Sequence, residues 1–403
     1  MFRGTGACLQ TAPRRSRARY FSFRSYVIFV ENKPYKDYSQ EFTVGDETTG
    51  VYHRVFASLG DSLHNLDIHT ENTPGGAEGD PFSSSAVIVC TADRGMNQQV
   101  RDALGAAGFS TDIMNDDNIS AGLVNLGLEK GKDHLNVMLR VIFWEDPQAG
   151  AEYINNLSNY VKVLRITPKT PFADLNRWPV PTLKPKETDF TEFNVVPNAI
   201  GNLDHLRAEI IERHGGSDYD HVDLAMTNWL EGYGAIALDS DLLADNRDAL
   251  YLRTEDFQLT TDDDFVITYG VNHVTTGKAI FCNASFYGSK LMNGVVAAHI
   301  SEYHQDSAAK YFPEGYEDAR YFYVWKMARK VDGGCPAVRI PYSTGNPSGS
   351  AFGVDNNTDA LVWFRSYVDP ATHVSAALFS IIWDRAILIK KKTKCGCNNS
   401  SGR

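Results

Sequence analysis

Residues 237–288 constrain the fold of this chain more than any other segment, because they alternate like paired β-strands and yet are dense in polar side chains. These side chains are Asp239, Asp241, Asp245, Asn246, Arg247, Asp248, Tyr251 and His273. Burying such groups is unfavourable unless each is hydrogen-bonded or ion-paired, and such clusters occur in functional sites and in structural networks alike. The segment therefore predicts a strand-rich body that contains a polar cluster.

Composition narrows the class of protein and its partners. Of the 403 residues, 43% are hydrophobic and 22% charged, which is ordinary for a soluble globular protein, and the 19 Tyr and 21 Phe favour strands. The net charge of -11, without a long basic stripe, disfavours nucleic acid as a partner. The best candidate for a membrane span, residues 376–389, is short and contains Asp384 and Arg385, so we expect no integral membrane segment.

Between residues 82 and 168 the spacing of apolar residues changes from strand-like alternation to alternating strand and helix patterns. The apolar run SAVIVCT at residues 85–91 is typical of a strand buried on both faces, and helical spacing follows at residues 96–107. Strand, helix and strand patterns continue to residue 168, which predicts a small α/β unit. The turn at residues 92–95 has one glycine where a phosphate cradle needs several, and Asp93 would repel phosphate, so a nucleotide site is not expected.

The predicted fold class is α+β: a mainly antiparallel, jelly-roll-like β-sandwich with a small α/β unit inserted between its halves. The predicted divisions are residues 1–19 as a leader or disordered segment, 20–81 as the first part of the sandwich, 82–168 as the inserted α/β unit, 169–197 as a Pro-rich linker, 198–235 as a helical segment, 236–389 as the second part of the sandwich and 390–403 as a disordered tail. Within the helical segment, helices are predicted at 198–214 and 220–231.

Four short motifs carry a resemblance. They are Tyr20-Phe-Ser-Phe, Asp245-Asn-Arg-Asp-Ala-Leu-Tyr251, Tyr269-Gly-Val-Asn-His273 and Thr276-Gly-Lys278. Together they resemble a set of uncharacterised algal and bacterial proteins, in which Thr stands where this chain has Ala249. The motif at residues 245–251 also resembles part of a broad bacterial family of exported β-rich proteins. The resemblance implies an exported β-sandwich and carries no assigned reaction.

The turn Asp245-Asn246-Arg247-Asp248 precedes a predicted strand that contains Tyr251. Functionally, Arg247 would clamp a carboxylate or sulfate beside Tyr251, and Asp245 or Asp248 would act as a base. Structurally, an arginine between two acids is typical of a network that locks strand ends, and we favour this interpretation. A calcium site formed by Asp239, Asp241 and Asp245 lacks the glycine and distal glutamate of a calcium loop, so no metal is expected.

His273 follows Asn272 at the end of an apolar strand, and a tight turn leads to Lys278. A histidine at such a strand end can serve as a general acid or base, with Asn272 and Lys278 contacting a ligand. The alternative is structural, because Asn-His before a turn often satisfies the turn's backbone groups.

The sequence contains no nucleophile elbow and no cysteine signature of a nucleophile. We therefore predict a non-catalytic protein that binds a small polar ligand or glycan without a cofactor. The alternative is a hydrolase or lyase that uses His273 with Asp245 or Asp248. We expect a secreted or organelle-lumen protein, since the Arg-rich start loosely resembles a transit peptide and glycosylation sequons such as that at Asn156 permit secretion.

Overall fold

The computed structural model describes residues 17–44, 51–127, 129–170, 175–229, 231–299, 306–331, 336–343 and 353–392, and the backbone of residues 5–11. The chain forms two compact units and passes between them repeatedly. The first unit contains Met1–Pro185 and Leu230–Asp248, and the second contains Lys186–Trp229 and Ala249–Arg403.

The helices and strands follow one another in mixed order along the chain. The strands are β1 Thr5–Thr11, β2 Ala18–Glu31, β3 Tyr52–Ser58, β4 Leu63–His64, β5 Ser85–Thr91, β6 Met114–Asn118, β7 His134–Trp144, β8 Val161–Ile166, β9 Tyr219–Asp223, β10 Met226–Asn228, β11 Ala249–Thr254, β12 Phe257–Gln258, β13 Phe265–Val271, β14 Phe281–Gly288, β15 Asn293–His299, β16 Phe322–Ala328, β17 Ala337–Arg339, β18 Asp359–Tyr367 and β19 Arg385–Lys391. The helices are α1 Arg94–Ala106, α2 Pro147–Asn155, α3 Leu157–Tyr160, α4 Ala199–His214 and α5 Tyr233–Ala237.

The first unit contains two sheets and a covering helix. One sheet has the order β6-β5-β1-β8, in which only β5 and β6 are parallel, and in the other β2 pairs with β3, β4 and β7. Along β5 successive side chains point to opposite faces. Val87 and Val89 share a core with Met96 of α1, whereas Ile88 shares one with Phe21 of β2. The continuous apolar run of β5 is therefore explained, because it is covered on both faces.

The second unit has the same order of layers. Its sheets are β10-β11-β18-β14-β15, with β12 also beside β18, and β17-β16-β13-β19-β9. On β13, Ile267 and Tyr269 share a core with Leu206 of α4, whereas Val266 shares one with Phe286 of β14. The two sheets thus pack on a common core, and α4 covers the outer face of the second.

The predicted α+β class with mainly antiparallel sheets is confirmed. The jelly-roll detail stays a prediction. Val87 and Val266 lie in different sheets, as the predicted fold requires. The α4 helix is also confirmed within one residue of its predicted start.

The division of the chain differs from the predicted one. Residues 20–70 were expected to share a sandwich with residues 249–368, but they lie in the first unit with the strands of residues 85–166. The reason is strand pairing: β2 runs beside β7 from the pair Ala18 and Trp144 to the pair Phe29 and His134. Alternation in sequence indicates a strand and its buried face, but it does not identify the partner strand.

Two local predictions also differ from the structure. The helix expected at residues 220–231 is replaced by β9 and β10, because β9 pairs with β19 and forms the edge of that sheet. Residues 1–19 were predicted as a leader or disordered segment, whereas Thr5–Thr11 forms a strand between β5 and β8 and Ala18 begins β2. Most of the predicted disordered tail, residues 393–403, lies outside the described residues. No helix among the described residues is long and apolar enough to span a membrane.

The packing of α4 gives the first prediction. Leu206→Ala removes a completely buried side chain from the inner face of this helix, so we expect the free energy of unfolding to fall by about 2–5 kcal/mol. Ile200→Ala lies on the same helix at 47% exposure and should change it by about 0.5 kcal/mol or less. Urea unfolding followed by circular dichroism compares the two variants, and equal losses would contradict this packing.

Candidate functional site

Asp245 belongs to the short segment of the first unit that follows residue 230. Its carboxylate accepts hydrogen bonds from the Ser58 backbone N at 2.7 Å, the Ser58 Oγ at 2.9 Å and the Gly232 backbone N at 2.9 Å. The side chain is buried, and this burial raises the pKa of Asp245 above its ordinary value. Asp245 therefore joins its own segment to β3.

Arg247 has a guanidinium group whose donors meet three acceptors. Nε donates to Asp61 Oδ1 at 2.6 Å, Nη1 to Glu231 Oε1 at 2.9 Å and Nη2 to the Lys184 backbone O at 2.8 Å. The residue is buried. This arrangement favours the structural interpretation of Arg247, since its fork is already filled by groups of the same unit.

Asp248 lies against the start of β2. The Tyr20 hydroxyl donates to Asp248 Oδ2 at 2.6 Å, and Asn246 Nδ2 donates to the Tyr20 oxygen at 2.7 Å. All three residues are buried, and burial raises the pKa of both Asp248 and Tyr20. Residues 245–248 and the Tyr20-Phe-Ser-Phe motif, which are remote in sequence, are thus joined by one hydrogen-bond network.

His273 lies in the second unit and is held by two carboxylates. Its Nδ1 is 2.7 Å from Glu192 Oε1, and its Nε2 is 3.4 Å from Asp384 Oδ2. The Tyr323 hydroxyl donates to Asp384 Oδ1 at 2.6 Å, and Thr276 Oγ1 donates to Glu192 Oε1 at 2.7 Å. Burial alone would lower the pKa of His273, but the two carboxylates outweigh it and raise the pKa to about 10.

The other predicted residues of this unit have separate partners. Asn272 Oδ1 accepts from the backbone N of Val274 at 3.2 Å, as the structural alternative predicts. Lys278 Nζ is paired with Asp369 Oδ2 at 2.8 Å, and both residues are buried. Tyr251 lies on β11 with its ring centroid 5.5 Å from the Arg365 guanidinium carbon.

The hydrogen-bond partners of His273 are therefore Glu192 and Asp384, whereas Asp245 and Asp248 have their own partners in the first unit. Sequence reasoning did not associate Glu192 with His273, because the two are far apart in sequence and Glu192 lies in a region predicted as a linker. The available signal was Asp384, a charge inside an apolar run.

The acids that were considered for a calcium site have different partners. Asp239 Oδ2 is 2.5 Å from Lys33 Nζ, and Asp241 Oδ2 is 2.6 Å from Arg54 Nε. Asp245 binds Ser58. Among the described residues, no group of three or more His, Cys, Asp or Glu side chains is placed to hold a metal ion.

The first unit contains an open cavity of about 780 Å³ that none of the predicted catalytic or ligand-binding residues lines. Its lining residues are Val30, Glu31, Asn32, Lys33, Pro34, Ala92, Asp93, Ala121, Gly122, Leu123, Val124, Asn125, Leu126, Lys132, Asp133, Leu175, Arg177, Ile236 and Asp239. The cavity lies beyond the carboxyl ends of β5 and β6, which are parallel neighbours. Ligands of α/β proteins bind characteristically at such strand ends.

Asp93 and Arg177 meet at one side of this cavity. Asp93 caps α1, since its Oδ1 accepts from the Met96 backbone N at 2.8 Å. An isolated antiparallel bridge places Arg177 directly opposite Asp93 on the neighbouring segment. Asp93 Oδ2 is buried and has no hydrogen-bond partner among the described residues. The exposed Arg177 side chain has no ion pair within the described part of the chain.

Asp133 is a third ionisable group of the lining. Burial raises the pKa of Asp133 to about 6, against the opposing effects of a hydrogen bond from the Asn125 backbone N and the charge of Lys132. Asp239, by contrast, is paired with Lys33, and this contact lowers the pKa of Asp239 although burial acts in the opposite direction. The cavity therefore combines an apolar wall with acids and bases that are only partly paired.

No protein family model matches this chain, and no curated protein matches it. A solved structure of an uncharacterised protein from Burkholderia cenocepacia is similar over 96% of this chain and 73% of that chain, at 12% sequence identity and a TM-score of 0.38. A similarity at this score carries no information about function.

Arg247→Ala gives the second prediction. The change leaves Asp61 and Glu231 without their cation, so we expect the free energy of unfolding to fall by about 3–5 kcal/mol. The control Arg19→Ala removes one partner of an exposed pair with Glu145 in the same unit and should cost about 1 kcal/mol or less. Thermal and urea unfolding measure both variants. A stable Arg247→Ala protein that has lost ligand binding would instead support the functional interpretation.

The third prediction concerns the pH dependence of stability. The folded pKa of His273, about 10, lies above the ordinary value of 6.5, so the imidazolium stabilises the fold fully below pH 6.5. This stabilisation should decline as the pH rises towards 10, by up to about 1.4 kcal/mol per pH unit. Urea unfolding from pH 6.5 to 10 should therefore show a stability difference between wild type and His273→Gln that shrinks with pH. A constant difference would show that His273 is held neutral.

Proposed function

We propose that this protein is a non-catalytic binding protein for a small polar ligand, and that the cavity of the first unit is its binding site. The observation that carries the proposal is the pair Asp93 and Arg177. These two charged side chains lie opposite each other on the cavity wall, and neither is ion-paired with another described residue. Two charged side chains on the wall of an open cavity can fix the orientation of a polar ligand.

The remaining lining suits a small molecule with an apolar body. Val30, Leu123, Val124, Leu126 and Ile236 form apolar surface beside the charged groups. About half of the lining residues are apolar and seven are charged, so the cavity offers contacts both to the polar groups and to the apolar body of such a ligand. A glycan is a weaker candidate, because the described lining residues include no aromatic ring on which a sugar would stack.

Two observations support binding rather than catalysis. His273, the centre of the hydrolase or lyase alternative, is buried with both ring nitrogens facing carboxylates. The carboxylates of Asp245 and Asp248 accept hydrogen bonds from Ser58 and Tyr20. A general base needs access to a substrate proton, and these groups are enclosed by protein. The alternative stays a prediction.

We also propose export to the cell exterior or an organelle lumen, as the sequence resemblance implies. The sequon at Asn156 supports this proposal, because that residue is exposed at the end of α2 and accessible to glycosylation.

The fourth prediction tests the cavity. Thermal shift of the wild-type protein against a panel of amino acids, hydroxy acids, polyols and monosaccharides should give at least one ligand that raises the melting temperature. Leu175→Trp, at an exposed position of the lining, should abolish this shift because the indole fills the mouth of the cavity. Ile154→Trp, exposed on α2 outside the lining, is the matched control and should retain it. A panel without any shift, or a shift that survives Leu175→Trp, would contradict the proposal.

A further inference from the structure

We propose that the ligand of this cavity is an α-amino acid with an apolar side chain, whose ammonium group binds Asp93 and whose carboxylate binds Arg177. This inference rests on the proposed binding function and specifies its ligand class. It is drawn from the placement of one acid and one base on adjacent backbone segments.

Hydrogen bonds fix the two backbones against each other on both sides of the pair. The Arg94 backbone N donates to the Asn176 O at 2.8 Å, and the Trp178 backbone N donates to the Ala92 O at 3.4 Å. Residues directly opposite each other on antiparallel segments have Cβ atoms about 5 Å apart. The carboxylate of Asp93 and the guanidinium of Arg177 therefore start from neighbouring points. A ligand that carries opposite charges on a single carbon atom matches such a pair.

Asp93 and Arg177 are among the lining residues that have no ion pair with another described residue. Asp93 uses Oδ1 to cap α1, and its carboxylate has no ion pair with another described residue. The other bases of the lining have acceptors, since Lys33 is paired with Asp239 and Lys132 Nζ donates to Asn125 Oδ1 at 2.9 Å. Arg177 is thus the base of the lining that is best placed for a carboxylate, and its planar fork suits bidentate contact.

The apolar residues of the lining indicate that the side chain of the ligand is apolar. Leu123, Val124 and Ile236 belong to the same hydrophobic cluster as the inner face of β3, and they border the cavity. A branched aliphatic side chain would remove apolar surface from water there. A cavity of about 780 Å³ is larger than one amino acid, so a dipeptide also fits by volume. A dipeptide separates its two charges by a peptide unit, however, and the adjacent placement of Asp93 and Arg177 favours the single amino acid.

Isothermal titration with four related probes tests the inference. L-leucine should bind, whereas N-acetyl-L-leucine, L-leucinamide and leucyl-leucine should each bind about 10- to 100-fold more weakly, because the first two lack one charge and the third separates the charges. Leucyl-leucine that binds as tightly as leucine would overturn the choice of a single amino acid.

Three variants assign the contacts. Asp93→Asn keeps an N-cap side chain for α1 but loses the charge, and it should weaken leucine binding about 10- to 100-fold and abolish the preference for leucine over N-acetyl-leucine. Arg177→Gln should weaken leucine binding similarly and abolish the preference over leucinamide. Arg19→Gln, outside the lining, should bind leucine like wild type.

The outcomes separate this inference from the proposed function. If a hydroxy acid or polyol binds and Leu175→Trp blocks it, but leucine does not bind, the amino-acid inference fails and the binding function stands. If no member of the panel binds, both fail. Leucine binding that is unchanged in both Asp93→Asn and Arg177→Gln also overturns the inference. Circular dichroism melts of the variants confirm that each is folded at the titration temperature.

Discussion

The first unit depends on the docking of one short segment, residues 231–248. The chain before and after this segment belongs to the second unit, so only contacts with residues distant in sequence can hold the segment in place. Residues 231–248 follow a long excursion into the second unit, and polar contacts attach them to β2, β3 and the loops nearby. Asp245 binds the backbone and side chain of Ser58, Asp248 accepts from Tyr20, and Arg247 joins Asp61 to its own segment. Backbone bonds from Leu242 and Ala244 to β3 continue the attachment. Hydrogen bonds require a particular geometry, so this network specifies how the segment docks in a way that apolar contacts alone would not.

Each of the two units packs a helix, a sheet and a second sheet in the same order. In each, a strand at the centre is covered by a second sheet on one face and a helix on the other, so its side chains alternate between two cores. In the first unit that strand, β5, also has a parallel neighbour, and α1 begins directly after it. Because β5 and β6 are parallel, no tight hairpin turn joins them at their carboxyl ends, and the connection between them is a longer crossover. This leaves the open space that Asp93 and Arg177 border.

Buried charges in this protein fall into two groups with different meanings. His273, Lys278 and Arg247 are buried beside carboxylates of their own unit, and each pair satisfies its members. Such pairs contribute little net stability, but breaking one leaves an unpaired buried charge, which is strongly unfavourable. Asp93 differs because one carboxylate oxygen has no donor among the described residues and its side chain borders a cavity. Asp248 Oδ1 in the polar cluster also has no donor among the described residues, so the cavity beside Asp93 is what distinguishes the two acids.

The sequence by itself determined the α+β class, the α4 helix and the double-faced burial of β5, because each depends on local periodicity. Only the tertiary structure decided which strands pair, why residues 245–248 are so polar, and that Glu192 and Asp384 hold His273. It also decided that Arg177, in a stretch predicted as linker, lies opposite Asp93. These contacts join residues far apart in the chain. Periodicity reports which face of an element is buried, but it contains no information about which distant residue covers that face.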